Sequence, residues 1–176
     1  MKSKFLFASF FLTSFVFGQN ATIISMETLI RNFLNKKVDS IHENITGLTE
    51  TDNLKPLAFI LDGKIHLAKS VVLFNSHKIE EIYFRKDSMN IISTLYLILT
   101  PKSADMVDIL IRSFGNWYSR MSASTETDLG IELGVNYGWK LEEYGILLLD
   151  GYFEDKNLII IDNKTNRFVR PIEEVK

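Results

Sequence analysis

The chain has 176 residues, with 20 basic and 22 acidic side chains, a net charge of −2 and no cysteine. This slight excess of acid argues against a nucleic-acid-binding protein, because such a protein needs a basic surface to neutralise phosphates. The lack of cysteine excludes a disulfide framework, a thiolate metal site and a thiol nucleophile.

The first nineteen residues have the pattern of a secretory signal peptide. Lys2 and Lys4 precede an apolar run over 5–17, which is followed by small and polar residues. The run is too short to span a bilayer but has the length of the apolar part of a signal. We therefore expect a signal peptide over 1–19, although an uncleaved anchor and an N-terminal core helix are the alternatives.

The mature chain is then residues 20–176. Losing Lys2 and Lys4 with the signal moves the net charge from −2 to −4. This length suits one domain, and we expect no membrane span after signal cleavage. An exported protein without disulfides favours a bacterial envelope, and we expect a periplasmic or secreted protein of a Gram-negative bacterium.

Two segments of the first half predict a helix and a hairpin. Apolar residues recur at helical spacing from Met26, and Ser25 is a suitable N-cap, so we expect a first helix over 26–45. Asp62-Gly63 separates two apolar runs, which predicts a type I′ turn with 57–61 paired to 64–68.

The next segments predict two strands and a helix. Residues 79–85 alternate as a strand, while 91–100 are almost all apolar, which is typical of a strand covered on both faces. A second helix follows, capped by Ser103 and ended by Gly115. The small polar residues 122–128 after it predict a loop. For 71–75, a short strand and a helical turn both fit.

The stretch GIELGVNYGWKL, 130–141, places glycine at every fourth position. At a period of two, all six apolar residues fall on one side, which predicts a long strand with a dry face. A helix would carry three costly glycines. The other side forms a flat polar face, which we take as a candidate contact surface together with the aromatic pair that precedes the strand. Its members are Gly130, Glu132, Gly134, Asn136 and Gly138, with Trp117 and Tyr118.

Two further strands, 144–153 and 158–162, complete the pattern. The order of elements predicts an α+β fold, in which two helices pack on a largely antiparallel sheet that ends in a β-meander. We expect residues 20–176 to form a single domain, with a boundary between two small lobes near 115–128.

The residues that carry chemistry form no recognisable motif. The three histidines are His42, His66 and His77; metal binding would join His66 to Asp62, or His77 to the acids of the following strand. Surface or turn positions are the alternative interpretation. No nucleophile, phosphate-loop or dinucleotide motif is present. We therefore expect no catalytic residue, no metal and no cofactor.

Acidic residues offer one further hypothesis. Asp150 interrupts an apolar strand just before Gly151, so it is either a buried or functional acid or the end of the strand. A glycosidase can work with two carboxylates alone. Glu132, Glu142, Glu143, Asp150 and Glu154 lie on or beside the final strands.

These observations favour an exported, non-catalytic accessory or binding protein that docks onto another protein of a bacterial envelope complex. The alternative is a periplasmic inhibitor or immunity protein against a toxin, which would carry an acidic or aromatic projecting loop. A third hypothesis is a small hydrolase of glycans or peptidoglycan, which would need two carboxylates facing one cleft.

Overall fold

A computed structural model describes residues 21–41, 45–50, 61–117, 119–127 and 130–164. The expected signal segment and the last twelve residues lie outside these ranges. Within them the chain forms two α-helices and ten strands of one mixed sheet, so the α+β class is confirmed. The elements in chain order are β1 Thr22–Ile23, α1 Met26–Phe33, β2 Ile45–Glu50, β3 Gly63–Leu67, β4 Val71–Leu73, β5 His77–Lys86, β6 Ile92–Thr100, α2 Met106–Phe114, β7 Ser119–Thr127, β8 Gly130–Lys140, β9 Gly145–Asp150 and β10 Asn157–Asp162.

The sheet follows the order β1-β4-β5-β6-β10-β9-β8-β7, and β2 and β3 join it at the side of β5. Strand β5 therefore has β6 along one edge and shares its other edge between β4 and β3. Only the β1–β4 pair is parallel among the strands described. Strands from before and after residue 115 lie in the same sheet, and the expected lobe boundary near 115–128 stays a prediction.

Two buried clusters lie on the two faces of the sheet. The larger cluster combines α1 and α2, represented by Leu29 and Leu110, with sheet residues such as Phe84. The smaller cluster contains Tyr83 and Tyr96, which alternate with residues of the larger cluster along β5 and β6. Since successive side chains of a strand point to opposite faces, the smaller cluster lies on the face away from the helices.

Strand β6 confirms the expectation of a strand covered on both faces. Seven of its nine side chains are buried, and six of these divide between the two clusters, while the seventh is the polar Thr94. The second helix ends at Gly115, as expected, with φ of 85° and its N–H bonded to the Ile111 carbonyl. Ser103 is not the N-cap of that helix, because Asp105 holds this position. The Ser103 hydroxyl accepts a hydrogen bond from Asp105 N–H, just before the helix begins.

The first helix is shorter than expected and ends at Phe33. Asn35 takes a left-handed conformation with φ of 61°, and its N–H donates to the Ile92 carbonyl at 2.9 Å. Lys36 accepts from Ile92 N–H in return. The chain after the helix thus hydrogen-bonds to the start of β6, and this pairing replaces the helical bonds that the apolar spacing suggested. Three residues, Val38–Ser40, form a short 3₁₀ turn.

The hairpin expected around Asp62-Gly63 is wrong. Strand β3 has β2 on one side and β5 on the other, so neither edge is available to 57–61, of which the structure describes only Leu61. Asp62 and Gly63 also lack the positive φ that a type I′ turn requires. Instead, Asp62 N–H donates to the Phe84 carbonyl, and the Asp62 carboxylate accepts from Lys86 N–H.

The loop expected over 122–128 is also wrong, because 122–127 belong to β7. This strand pairs with β8 over its whole length, from Ser119 opposite Gly138 to Thr127 opposite Gly130. The small polar residues of this segment have too little strand propensity to predict a strand by themselves. The backbone of the long strand β8 supplies the hydrogen-bonding partner, so pairing overrides local preference.

Candidate functional site

The sheet opens where β3 separates from β5. Strand β3 pairs with Ile82–Phe84 of β5, and β4 pairs with His77 and Lys78. Residues 79–81 of β5 lie between these two pairings, and there the register with β6 shifts, which marks a β-bulge. The chain from His66 to Ser70 crosses from β3 to β4 beside this opening.

This opening forms a groove of about 580 Å³. Its polar lining comes from β3, from the connection to β4 and from β5. These residues are Lys64, His66, Lys69, Ser70, Lys78 and Glu80. Lys64 lies opposite Tyr83 in the register and so shares the face of the smaller cluster, whereas the lining residues Ile65, Ile79 and Ile82 belong to the larger cluster.

Lys64, which lines the groove, belongs to a hydrogen-bonded group of three side chains. Lys64 Nζ lies 2.7 Å from Glu81 Oε1 and 5.4 Å from the centre of the Tyr83 ring, and Tyr83 donates its hydroxyl to Glu81 Oε2 at 2.8 Å. Burial alone would raise the pKa of Glu81, but the hydrogen bonds from Lys64 and Tyr83 outweigh it, so that pKa lies below its usual value. Burial and the bond to Glu81 raise the pKa of Tyr83. Glu81 is therefore ionised and fully occupied by these partners.

Glu80, the acid that lines the groove, is also paired. Lys156 Nζ lies 2.7 Å from Glu80 Oε2, and this bond raises the pKa of the Lys156 ammonium. With Glu80 and Glu81 both neutralised, Lys69 and Lys78 carry the uncompensated charge of the groove. Within the described ranges neither of these exposed lysines makes an ion pair. The groove is therefore positively charged in a chain whose net charge is negative.

The groove was not among the sites expected from the sequence. Two signals were present in hindsight. One was the out-of-phase spacing of Ile79, Ile82 and Phe84, all of which lie in the cluster facing the helices, and this spacing reveals the bulge. The other was the alternation of Lys64, His66 and Ala68 along β3. Neither signal shows which strands are neighbours, and the groove depends on that.

The candidate contact surface on β8 has a described backbone and in part described side chains. The segment 130–140 is a strand, as expected. Gly138 is buried and Asn136 is half-buried, while for Gly130, Glu132 and Gly134 the structure describes the strand positions alone. Their partners on β7 are Thr127, Thr125 and Ala123.

The aromatic residues of that surface have different outcomes. Trp117 is half-buried, packs against the larger cluster and contacts the Tyr137 ring edge-on at 5.6 Å. Tyr118 lies outside the described residues. On the dry face, Trp139 is 1% exposed and donates its indole N–H to the Gly115 carbonyl at 2.8 Å, which confirms the side of β8 that faces the core.

Asp150 ends β9 and has an exposed side chain. It lies 3.9 Å from Lys102 Nζ, with 47% of the side chain exposed, and Gly151 follows with φ of 91°. Of the two sequence interpretations, the end of a strand fits this geometry and a buried acid does not. Glu142 and Glu143 lie at the other end of β9, roughly 17 Å away along six residues of strand. That distance exceeds the separation of about 5–10 Å between glycosidase carboxylates.

The histidines lie in different surroundings. His66 lines the groove, while His42 lies outside the described residues. His77 is 3% exposed, its Nδ1 lies 2.9 Å from the Ser76 hydroxyl, and burial lowers its pKa. In the described part of the chain, no three His, Cys, Asp or Glu side chains are arranged to hold a metal ion.

Two general observations complete the description of the candidate site. No helix within the described ranges has the length and apolar character needed to cross a bilayer. No protein-family model, no curated protein and no solved structure matches this chain.

Proposed function

We propose that this chain is an exported, non-catalytic binding protein that docks onto another protein of a bacterial envelope complex, and that the basic groove beside β3 receives an acidic segment of that partner. The observation that carries the proposal is the pair of exposed lysines, Lys69 and Lys78, in an open groove whose one lining acid, Glu80, is already paired with Lys156, while the adjacent Glu81 is paired with Lys64. Export rests on the pattern of residues 1–19.

The arrangement of the groove suits a segment of a protein better than a small molecule. It is open to solvent along the face of the sheet, and its lining is mostly polar, whereas small-molecule sites are enclosed and mostly apolar. In this proposal, both helices cover one face of a largely antiparallel sheet that ends in a meander. The Lys64 side chain of the groove then lies on the opposite face, away from the helices.

The lysines supply attraction that depends on ionic strength. Exposed charges steer an acidic partner and increase its association rate, and salt screens this effect over about 10 Å at 0.1 M. The two paired acids contribute differently, because their carboxylates hold Lys64 and Lys156 in place. We expect the lysines to determine affinity and the two ion pairs to maintain the shape of the groove.

The test is capture of the partner from the native envelope with the mature protein. The variant K69E/K78E reverses both uncompensated charges, and we expect it to lose the captured membrane-complex protein. The variant K36E/K37E makes the same change of charge at two exposed lysines just after α1 and should retain it. Equal capture by both variants, or by neither, would contradict the groove as the docking site.

The inhibitor hypothesis has one observation in its favour. Strands β7 and β8 continue past the end of β9, since β9 pairs with β8 only from Val135 onward. The sequence 123–134 on this extension holds three acids and no base. An inhibitor that used it would capture a soluble toxin and would be insensitive to K69E/K78E, so the same experiment separates the two functions.

A further inference from the structure

Strand β7 has one edge without a recorded neighbour. It pairs with β8 over nine consecutive residues with no shift of register. Within the described ranges no other strand pairs with it, and no turn or loop backbone bonds to it. Half of its backbone N–H and C=O groups therefore face away from the sheet, which is a template for another strand.

The same strand is poorly supported at its far end. Residues 123–127 of β7 and 130–134 of β8 pair with each other, while β9 reaches only to Val135. A ribbon of two strands is marginally stable in water, and three or more strands are needed for independent stability. In the described part of the chain, no third strand pairs with this ribbon.

The sequence of β7 also lacks the usual protection of an edge strand. Natural edges carry proline, lysine or a bulge that prevents pairing with another chain. The strand reads SRMSASTET, with neither proline nor lysine, and its ladder with β8 shows no bulge. Its only charged residues are Arg120 and Glu126.

These two charges define one symmetric pairing. In an antiparallel pair of identical strands, the register that pairs all nine residues sets Ser119 opposite Thr127 and Ala123 opposite itself. This register also sets Arg120 opposite Glu126 of the second copy, and the symmetry axis repeats that pair. No other symmetric register pairs the two charges. Full overlap and charge complementarity therefore select the same arrangement.

We propose that two copies of this chain associate through β7, antiparallel and with the two-fold axis at Ala123, to form one continuous sheet. Each ribbon then has a third strand along its whole length. Arg120, which is exposed and lies 5.9 Å from the Tyr137 ring of its own copy, meets an acid across the interface. The groove lies beside β3 and β5, toward the opposite end of the strand order from β7. The inference therefore does not depend on the proposed function.

Disulfide cross-linking tests this geometry directly, because the chain has no cysteine of its own. In the variant A123C the two thiols face each other across the axis. The Cα atoms of opposite residues in an antiparallel pair are about 4.5–5.5 Å apart, within the range of a disulfide. We expect mild oxidation to give a covalent dimer. The control S113C, at an exposed position on α2, should remain monomeric.

Sedimentation of charge variants gives an independent readout. We expect R120E and E126R each to raise the dissociation constant of the dimer about tenfold, because each puts two like-charged pairs across the interface. The double variant R120E/E126R restores the opposite pairing and should return the wild-type constant. R112E, an equal change of charge on α2, should leave it unchanged.

The outcomes divide clearly. A wild-type protein that stays monomeric at 100-fold the concentration of an ordinary binding assay overturns the proposal. So does a dimer that persists unchanged in R120E and is not cross-linked in A123C, because its interface would lie elsewhere. Far-ultraviolet circular dichroism of each variant establishes that its fold is intact.

Discussion

Glu81 is the residue with the best-defined electrostatic role in the structure. Its partly buried carboxylate accepts from Lys64 and Tyr83 beside the groove, and these bonds hold its pKa below the usual value. A carboxyl whose pKa is lower in the folded state stabilises the fold above its unfolded pKa. This contribution is lost as the pH falls through the folded pKa.

We therefore predict that E81Q lowers the free energy of unfolding at pH 7 by about 1 kcal/mol, a value reduced for the partial exposure of the site. Urea unfolding at pH 7 and at pH 3 measures it. The difference from wild type should be smaller at pH 3, because a lower pH favours the protonated carboxyl. E80Q is the control, and its more exposed pair should contribute less. A difference for E81Q that is independent of pH would contradict the electrostatic explanation.

His77 gives a second prediction of pH dependence. Burial lowers its pKa, so the unfolded chain binds a proton more readily than the folded protein does. The protein should lose stability as the pH falls below about 6.5, the usual pKa of histidine, toward the folded pKa.

The variant H77F should lack this part of the decline, and its ring suits a site where Phe74 lies edge-on at 6.4 Å. Chemical unfolding at half-unit steps from pH 7 to pH 5 measures the slope. An unchanged slope in H77F would show that another group titrates.

At the level of single residues, burial was predictable from the sequence and strand pairing was not. The alternation of β8 correctly placed Trp139 toward the core, because a period of two needs no knowledge of neighbours. In β5 a period of two puts Ile79 on the same face as Tyr83, but the two residues lie on opposite faces. The reason is the bulge between Ile79 and Glu81, which inserts one residue and reverses the faces. The groove residues depend on that bulge and on strand neighbours.

The junction between α1 and the sheet illustrates what determines an element boundary. The apolar spacing continued past Phe33, but Asn35 reverses the chain with φ of 61° and Asn163 Nδ2 donates to its side-chain oxygen at 2.8 Å. Asparagine tolerates this conformation better than most residues, whereas in alanine the Cβ lies too close to the following carbonyl oxygen, which destabilises it.

We predict that N35A lowers the free energy of unfolding by about 1–2 kcal/mol, while N35G lowers it by less than half as much. Glycine keeps the backbone conformation and loses only an exposed hydrogen bond. Urea unfolding of both variants at pH 7 separates the two contributions. Equal losses would mean that the bond to Asn163, rather than the backbone, fixes the end of the helix.

Other elements show why a sequence alone predicts some boundaries and misses others. Strand β6 and the stop of α2 at Gly115 were predictable, because a run of five consecutive apolar residues, Leu95 to Leu99, and a glycine after a helix act locally. Strand β7 was missed because its small polar residues carry no signal, and only β8 beside them makes a strand. The hairpin at Asp62 was wrong because β2 and β5 occupy both edges of β3.

For the whole molecule, the two proposals concern opposite ends of the strand order. The groove lies where β3 leaves β5, and the proposed interface between copies lies at β7. A dimer would carry two basic grooves on one continuous sheet and could engage a partner twice. Two linked contacts bind more tightly than either alone when both can be reached together. Dimerisation would therefore strengthen a docking interaction that single exposed lysines make weakly.

The central claim is that the groove, in the exported protein, contacts another envelope protein. A photo-cross-linking amino acid at position 69, introduced into the full chain in living cells, tests it most directly. The same group at the exposed position 113 on α2 is the control. The account predicts an adduct with an envelope protein from position 69 and not from position 113. An exported protein that gives no adduct at position 69, or identical adducts from both positions, would contradict it.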